Sequence, residues 1–89
     1  MRIEFDAAKN EANIAKHGVD LRSAEDFDFD TAVYAEDDRK HYGETRYIAL
    51  GRLSGRLHVM VFTLRDESIR VISLRKANKR EEKLYNEKT

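Results

Sequence analysis

The chain has 89 residues, of which 40% are hydrophobic and 38% charged, with no cysteine, proline or tryptophan; this fits a single domain over residues 1–89 with one thin core. Lack of cysteine excludes disulfides, thiol nucleophiles, zinc ribbons and iron-sulfur clusters. No apolar run approaches the roughly 20 residues that span a bilayer, and the opening Met1-Arg2-Ile3-Glu4 lacks a signal peptide's apolar segment, so a cytoplasmic protein without membrane contact is expected.

In chain order, residues 2–5 read as a short strand. Asp6 as N-cap and Gly18 as the residue past the C-terminus predict a helix over 7–17. Ala8, Ala12 and Ala15 share one face of it, while Lys9, Asn13, Lys16 and His17 form a separate polar stripe. Asp20 caps a second short helix whose apolar residues are Leu21, Ala24 and Phe27. Residues 31–35 are a strand candidate, and the polar stretch 36–44 reads as a loop.

From residue 46 the apolar period changes to two. Strands are predicted over 46–53, 56–64 and 69–75, joined by Ser54-Gly55 and by Asp66-Glu67-Ser68. Two-residue turns at both links set the register: Leu50/Val59/Leu74, Ile48/Val61/Ile72 and Arg46/Thr63/Arg70 become rows on one face. The alternative register, one residue over, sets Arg75 beside Val59 in the apolar patch and is disfavoured for that reason. Tyr47/Phe62/Val71 and Ala49/Met60/Ser73 lie on the other face, so both faces need some cover. Asn78 and Glu81 have the spacing of a capping box that starts a last helix, to about residue 87, with only Leu84 and Tyr85 as apolar anchors. The expected fold class is α+β: a small antiparallel sheet with two N-terminal helices and one C-terminal helix.

Charge is divided along the chain. Residues 1–45 hold 6 Lys and Arg against 12 Asp and Glu, whereas residues 46–89 hold 11 against 5. A basic half suits a polyanion such as nucleic acid, unless the two halves fold against each other and compensate. Asp26, Asp28, Asp30 and Asp37 fall at ligand positions of a calcium loop, but Thr31 replaces the glycine of the sharp turn and Asp37 is shorter than the bidentate glutamate, so a solvated acidic turn is the better reading. His17, His41 and His58 lack the spacing of a metal triad. No metal and no cofactor is therefore expected. The most informative pattern is the row Arg46/Thr63/Arg70, extended by Glu44 and Arg65. Guanidinium forks bind phosphate, and a carboxylate among cations can fix their rotamers or take a proton; the alternative is a set of cross-strand ion pairs at a sheet rim.

Several segments resemble the BrnT toxin family. These are Ile3-Glu4-Phe5-Asp6, Lys9, Asn13 and Lys16-His17-Gly18-Val19, with Ala24 and Phe27, followed by Glu44-x-Arg46, Gly51 and Thr63-Leu64-Arg65. The likeness continues through Ile69-Arg70-Val71-Ile72-Ser73, Arg75, Ala77, Glu81 and Tyr85. Phe5 stands in place of the usual Trp and Leu74 in place of the usual Ala. The resemblance implies a small RelE-like ribonuclease toxin, neutralised by a BrnA-type antitoxin with a ribbon-helix-helix DNA-binding part through which alone it meets operator DNA. In a metal-free ribonuclease the 2′-hydroxyl attacks the adjacent phosphate, which needs a proton acceptor, a proton donor and positive charge on the transition state. Arg46, Arg65 and Arg70 would supply the charge, Glu44 or His17 the base, and His17 or Tyr85 the acid. Lys9, Lys16 and Arg75 would track the RNA backbone; Tyr85 could instead stack on a base or pair with Glu81 one turn away. The competing reading is a non-enzymatic interaction module that regulates its operon with a DNA-binding partner.

Overall fold

A computed structural model describes residues 2–89. The chain opens with β1 (Arg2–Phe5) and α1 (Ala7–His17). Asp6 caps α1 by accepting the Lys9 N–H at 3.0 Å, and Gly18 ends it at φ +70°, donating to the Ile14 carbonyl at 2.8 Å. A 3₁₀ helix (Leu21–Asp26) and β2 (Val33–Asp37) follow, then β3 (Arg46–Leu53), β4 (Arg56–Arg65), β5 (Ser68–Lys76) and α2 (Lys79–Lys88). The five strands form one sheet in the order β1-β5-β4-β3-β2.

Three expectations about the elements themselves need correction, and a fourth, about register, is taken up below. The sheet is mixed, not antiparallel: β1 runs parallel to β5, with Arg2 beside Ser68 and Phe5 beside Val71. Strands β3, β4 and β5 are linked by tight turns and must alternate, whereas β1 leaves through α1, and the chain re-enters the sheet at its far edge as β2. The second N-terminal helix is a six-residue 3₁₀ helix. Leu21, Ala24 and Phe27 recur every three residues, the period at which 3₁₀ side chains eclipse, and all three are buried. Finally, β2 begins at Val33, two residues later than predicted, because the Asp28 carboxylate accepts from Asp30 N–H, Thr31 N–H and the Thr31 hydroxyl and holds 28–31 as a turn.

The first hairpin has the predicted register, with Leu53 facing Arg56, Leu50 facing Val59 and Ile48 facing Val61. Ser54 and Gly55 both take positive φ, as a two-residue primed turn requires. The second hairpin matches the prediction only near its turn, with Arg65 facing Ser68 and Thr63 facing Arg70. A bulge then makes Ile72 an extra residue, so Val61 faces Ser73, Met60 faces Leu74 and Val59 faces Arg75. The arrangement disfavoured from sequence is thus the observed one at this end. It is tolerated because α2 brings Glu81 to Arg75, at 2.7 and 2.9 Å, while Leu74 gains a fully buried position.

One face of the sheet (Ala49, Met60, Phe62, Val71, Leu74) packs under the 3₁₀ helix and the segment around it, through Val19, Leu21, Ala24 and Phe27. On the other face, Leu50, Leu57 and Val59 pack with Ala77 and with Tyr85, the one buried residue of α2. This cover reaches only the end near the first hairpin turn; Ile48, Val61 and Ile72 remain half-buried. Gly51 of β3 is required by packing rather than by its backbone: a Cβ there would lie 2.5 Å from Phe27 Cζ and 3.0 Å from Ala32 Cβ. Gly51→Ala is expected to destabilise the fold by about 1–3 kcal/mol, which thermal denaturation followed by circular dichroism would show as a clear fall in Tm.

Candidate active site

At the end of the sheet away from α2, a single row of side chains crosses all five strands. The pairings place Glu4 beside Arg70, Arg70 beside Thr63 and Arg46 beside Asp37. One step beyond the Tyr47 and Phe62 pair, Arg46 meets Thr63. The row therefore reads acid, Arg, Thr, Arg, acid. Thr63 is buried at its centre, its hydroxyl donating to the Thr45 carbonyl at 2.7 Å. Arg70 donates to Glu4 at 3.3 Å. Glu44, just before β3, divides its oxygens between two arginines: Oε2 lies 3.3 Å from Arg46 Nε and Oε1 lies 3.9 Å from Arg65 Nη2. Sequence reasoning grouped Glu44, Arg46, Arg65 and Arg70, and the fold brings these four together.

Three participants were missed. Asp37, only 4% exposed, accepts a two-pronged contact from Arg39 at 2.7 and 2.8 Å and the Tyr42 hydroxyl at 3.1 Å. The Arg39 hydrogen bonds hold its carboxyl far below the usual carboxylate range against the opposing effect of burial. The Tyr42 ring lies against Arg46, whose Cζ is 4.0 Å from the ring centroid. A correctly placed β2 would have signalled Asp37, since it faces Arg46 directly. Of the four aspartates at calcium-loop positions, Asp28 closes its own turn and Asp37 holds Arg39. Among the described residues no three His, Asp or Glu side chains converge as a metal site.

The other candidates border this row on one side. Lys9, Lys16 and His17 of α1 line a shallow groove with Ile72 and Ser73 of the bulge. Burial, then the charges of Lys16 and Arg75, push the His17 imidazole below its ordinary value, so it gives up a proton more readily than a free imidazole. Asn13 departs from its stripe. It is buried, with its amide bonded to the Leu74 backbone and the Val19 carbonyl. Arg75 projects on the same sheet face as Arg70 but is engaged by Glu81, whose carboxyl is in turn held low chiefly by that guanidinium. Tyr85 stands apart: the residue is 5% exposed and its hydroxyl donates to the Thr31 carbonyl at 3.2 Å. In this conformation it has no free ring face for a base.

No helix among the described residues is long and apolar enough to cross a membrane. Comparison with known proteins gives a family. The family model for "ribonuclease toxin, BrnT, of type II toxin-antitoxin system" matches residues 5–81, a span that contains every residue of the row except Glu4, and excludes Tyr85. No curated protein sequence matches. Among solved structures, the crystal structure of the Brucella abortus ribonuclease toxin BrnT superposes with a TM-score of 0.70 at 30% identity, covering 89% of this chain and 99% of that one. The family match over most of the chain and the shared fold agree, and this protein belongs to the BrnT family of ribonuclease toxins of type II toxin-antitoxin systems.

Proposed function

We propose that this chain is an endoribonuclease that cuts RNA without a metal ion, in the RelE-like manner, at the charged end of its open sheet face. The observation that carries this reading is the five-strand row with Glu44 set between Arg46 and Arg65. In the proposed reaction the 2′-oxygen attacks the adjacent phosphorus and the bond to the 5′-oxygen breaks, leaving a 2′,3′-cyclic phosphate and a 5′-hydroxyl. Arg46, Arg65 and Arg70 stabilise the pentavalent transition state. Glu44, set among cations, and His17 sit at opposite margins of the face. Glu44 takes the 2′-hydroxyl proton, and His17 in its protonated form supplies one to the leaving oxygen. Lys9 and Lys16, for which no carboxylate lies within 4 Å among the described residues, guide the backbone along the groove, with Arg75 beyond them.

Membership of a type II family implies a cognate antitoxin. The basic face suits a BrnA-type partner with a ribbon-helix-helix part that carries the pair to operator DNA. The pairing of Arg46, Arg70 and Arg75 with carboxylates is what a non-enzymatic module would also show, and one assay separates the two. Purified protein incubated with RNA in excess chelator is expected to cleave at an undiminished rate, to leave cyclic phosphate ends, and to stop when the antitoxin is added. Cleavage restored only by a divalent ion would overturn the metal-free mechanism; no cleavage under any condition would favour the module.

A further inference from the structure

We propose that Tyr42 and Asp37 are positioning residues that fix the plane of the Arg46 guanidinium for a phosphate, an inference that rests on the reading of Arg46 given above. Arg46 opens β3 directly after the polar segment 38–45, which has no regular secondary structure to hold a long side chain in one rotamer. Two groups contact it directly, and a third holds one of those two. The Tyr42 ring covers one face of the guanidinium at 4.0 Å. Glu44 takes its Nε at 3.3 Å. Asp37 anchors the segment from below through the Tyr42 hydroxyl at 3.1 Å and the Arg39 side chain and N–H. A buried carboxylate is costly unless it is paired this fully, so the cluster resists rearrangement.

The consequence lies in what is left over. Glu44 uses Nε, and among the described residues neither terminal nitrogen of Arg46 has a hydrogen-bond partner. Those two nitrogens form the fork that fits two phosphate oxygens. A stacked arginine loses less rotamer freedom when it binds, because the ring has already selected its plane.

The test is a double-mutant cycle. Tyr42→Leu removes the ring while keeping bulk, and Tyr42→Phe keeps the ring but drops the hydroxyl. Tyr42→Leu is expected to lower kcat by about tenfold with KM little changed, Tyr42→Phe, which keeps the ring but loses its tie to Asp37, to lower it by a smaller factor, and Tyr42→Leu to cost nothing further in an Arg46→Ala background. An independent signature needs no activity. The Arg46 Nε–H resonance, shifted by the ring current in the parent and in Tyr42→Phe, should move away in Tyr42→Leu, and Asp37→Asn should move it in the same direction. Unchanged kcat in Tyr42→Leu beside an impaired Arg46→Ala overturns this proposal alone, as does an equal loss from Tyr42→Leu in both backgrounds. Full activity of Arg46→Ala overturns the reading of the site and this proposal with it. If Tyr42→Leu does not fold, the Asp37→Asn resonance decides: no movement overturns the proposal.

Discussion

Arg46→Ala is expected to slow RNA cleavage by roughly 100-fold or more, about 2.7 kcal/mol of barrier, while leaving Tm nearly unchanged. Arg65→Ala should behave alike. The two observables separate because the contacts differ in kind. In the resting protein Arg46 makes one 3.3 Å ion pair and Arg65 a 3.9 Å one with the same carboxylate. Partly exposed pairs of this type contribute at most about 1 kcal/mol to folding. If the guanidiniums instead meet charge that develops only in the transition state, their loss falls on the rate. Lysine at position 46 should recover part of the rate, since an ammonium keeps the charge but not the planar fork or its stacking on Tyr42. Cleavage kinetics and thermal melts on the Ala and Lys variants decide the matter. Full activity of Arg46→Ala and Arg65→Ala would move the search to the groove at Lys9, Lys16 and His17.

Asn13→Ala should have the opposite signature, with the largest effect on stability. The edge of β5 is paired by β1 only as far as Val71. Beyond it, the Asn13 amide acts as a one-residue strand, donating to the Leu74 carbonyl at 2.7 Å and accepting the Leu74 N–H at 3.2 Å. The same amide donates to Val19 at 2.8 Å, tying the end of α1 to the segment that follows. Alanine leaves these backbone groups buried without partners. At about 1–3 kcal/mol for an unsatisfied buried group, a loss of about 3 kcal/mol is expected, lowering Tm by roughly 10–20 °C in a domain this small. Asp at this position should do no better, because it removes both donors and buries a charge. A melting temperature within a few degrees of the parent would show that water or a shift of α1 satisfies Leu74.

Local signals in the sequence located nearly every element. The caps at Asp6, Asp20 and Asn78, the glycine at 18 and the turn at Ser54-Gly55 each act over a few residues and need no knowledge of the rest of the chain. What escaped depends on contacts distant in sequence. The parallel pairing of β1 with β5 joins residues 66 apart. Asn13 reads as the fourth member of a polar stripe until Leu74 stands beside it. Arg75 looked misplaced in an apolar row because its partner Glu81 arrives on another element. The site shows the same division. Glu44, Arg46, Arg65 and Arg70 are close in the hairpin register and could be grouped from it, whereas Asp37, and with it Arg39 and Tyr42, comes into place only where β2 pairs with β3 and sets Asp37 opposite Arg46.

Arg70 and Arg75 are five residues apart, an odd separation that in an unbroken strand would send them to opposite sides of the sheet. With Ile72 inserted as a spare residue, the count along the ladder becomes even, and both side chains emerge on the same side. The single insertion thus adds a second guanidinium to one surface and, by the same half-step, turns Leu74 inward where a Ser would otherwise stand. A chain one residue shorter between these arginines would have to surrender either the buried leucine or the shared surface. Length between positions 70 and 75 is therefore under tighter constraint than the identity of most residues within it.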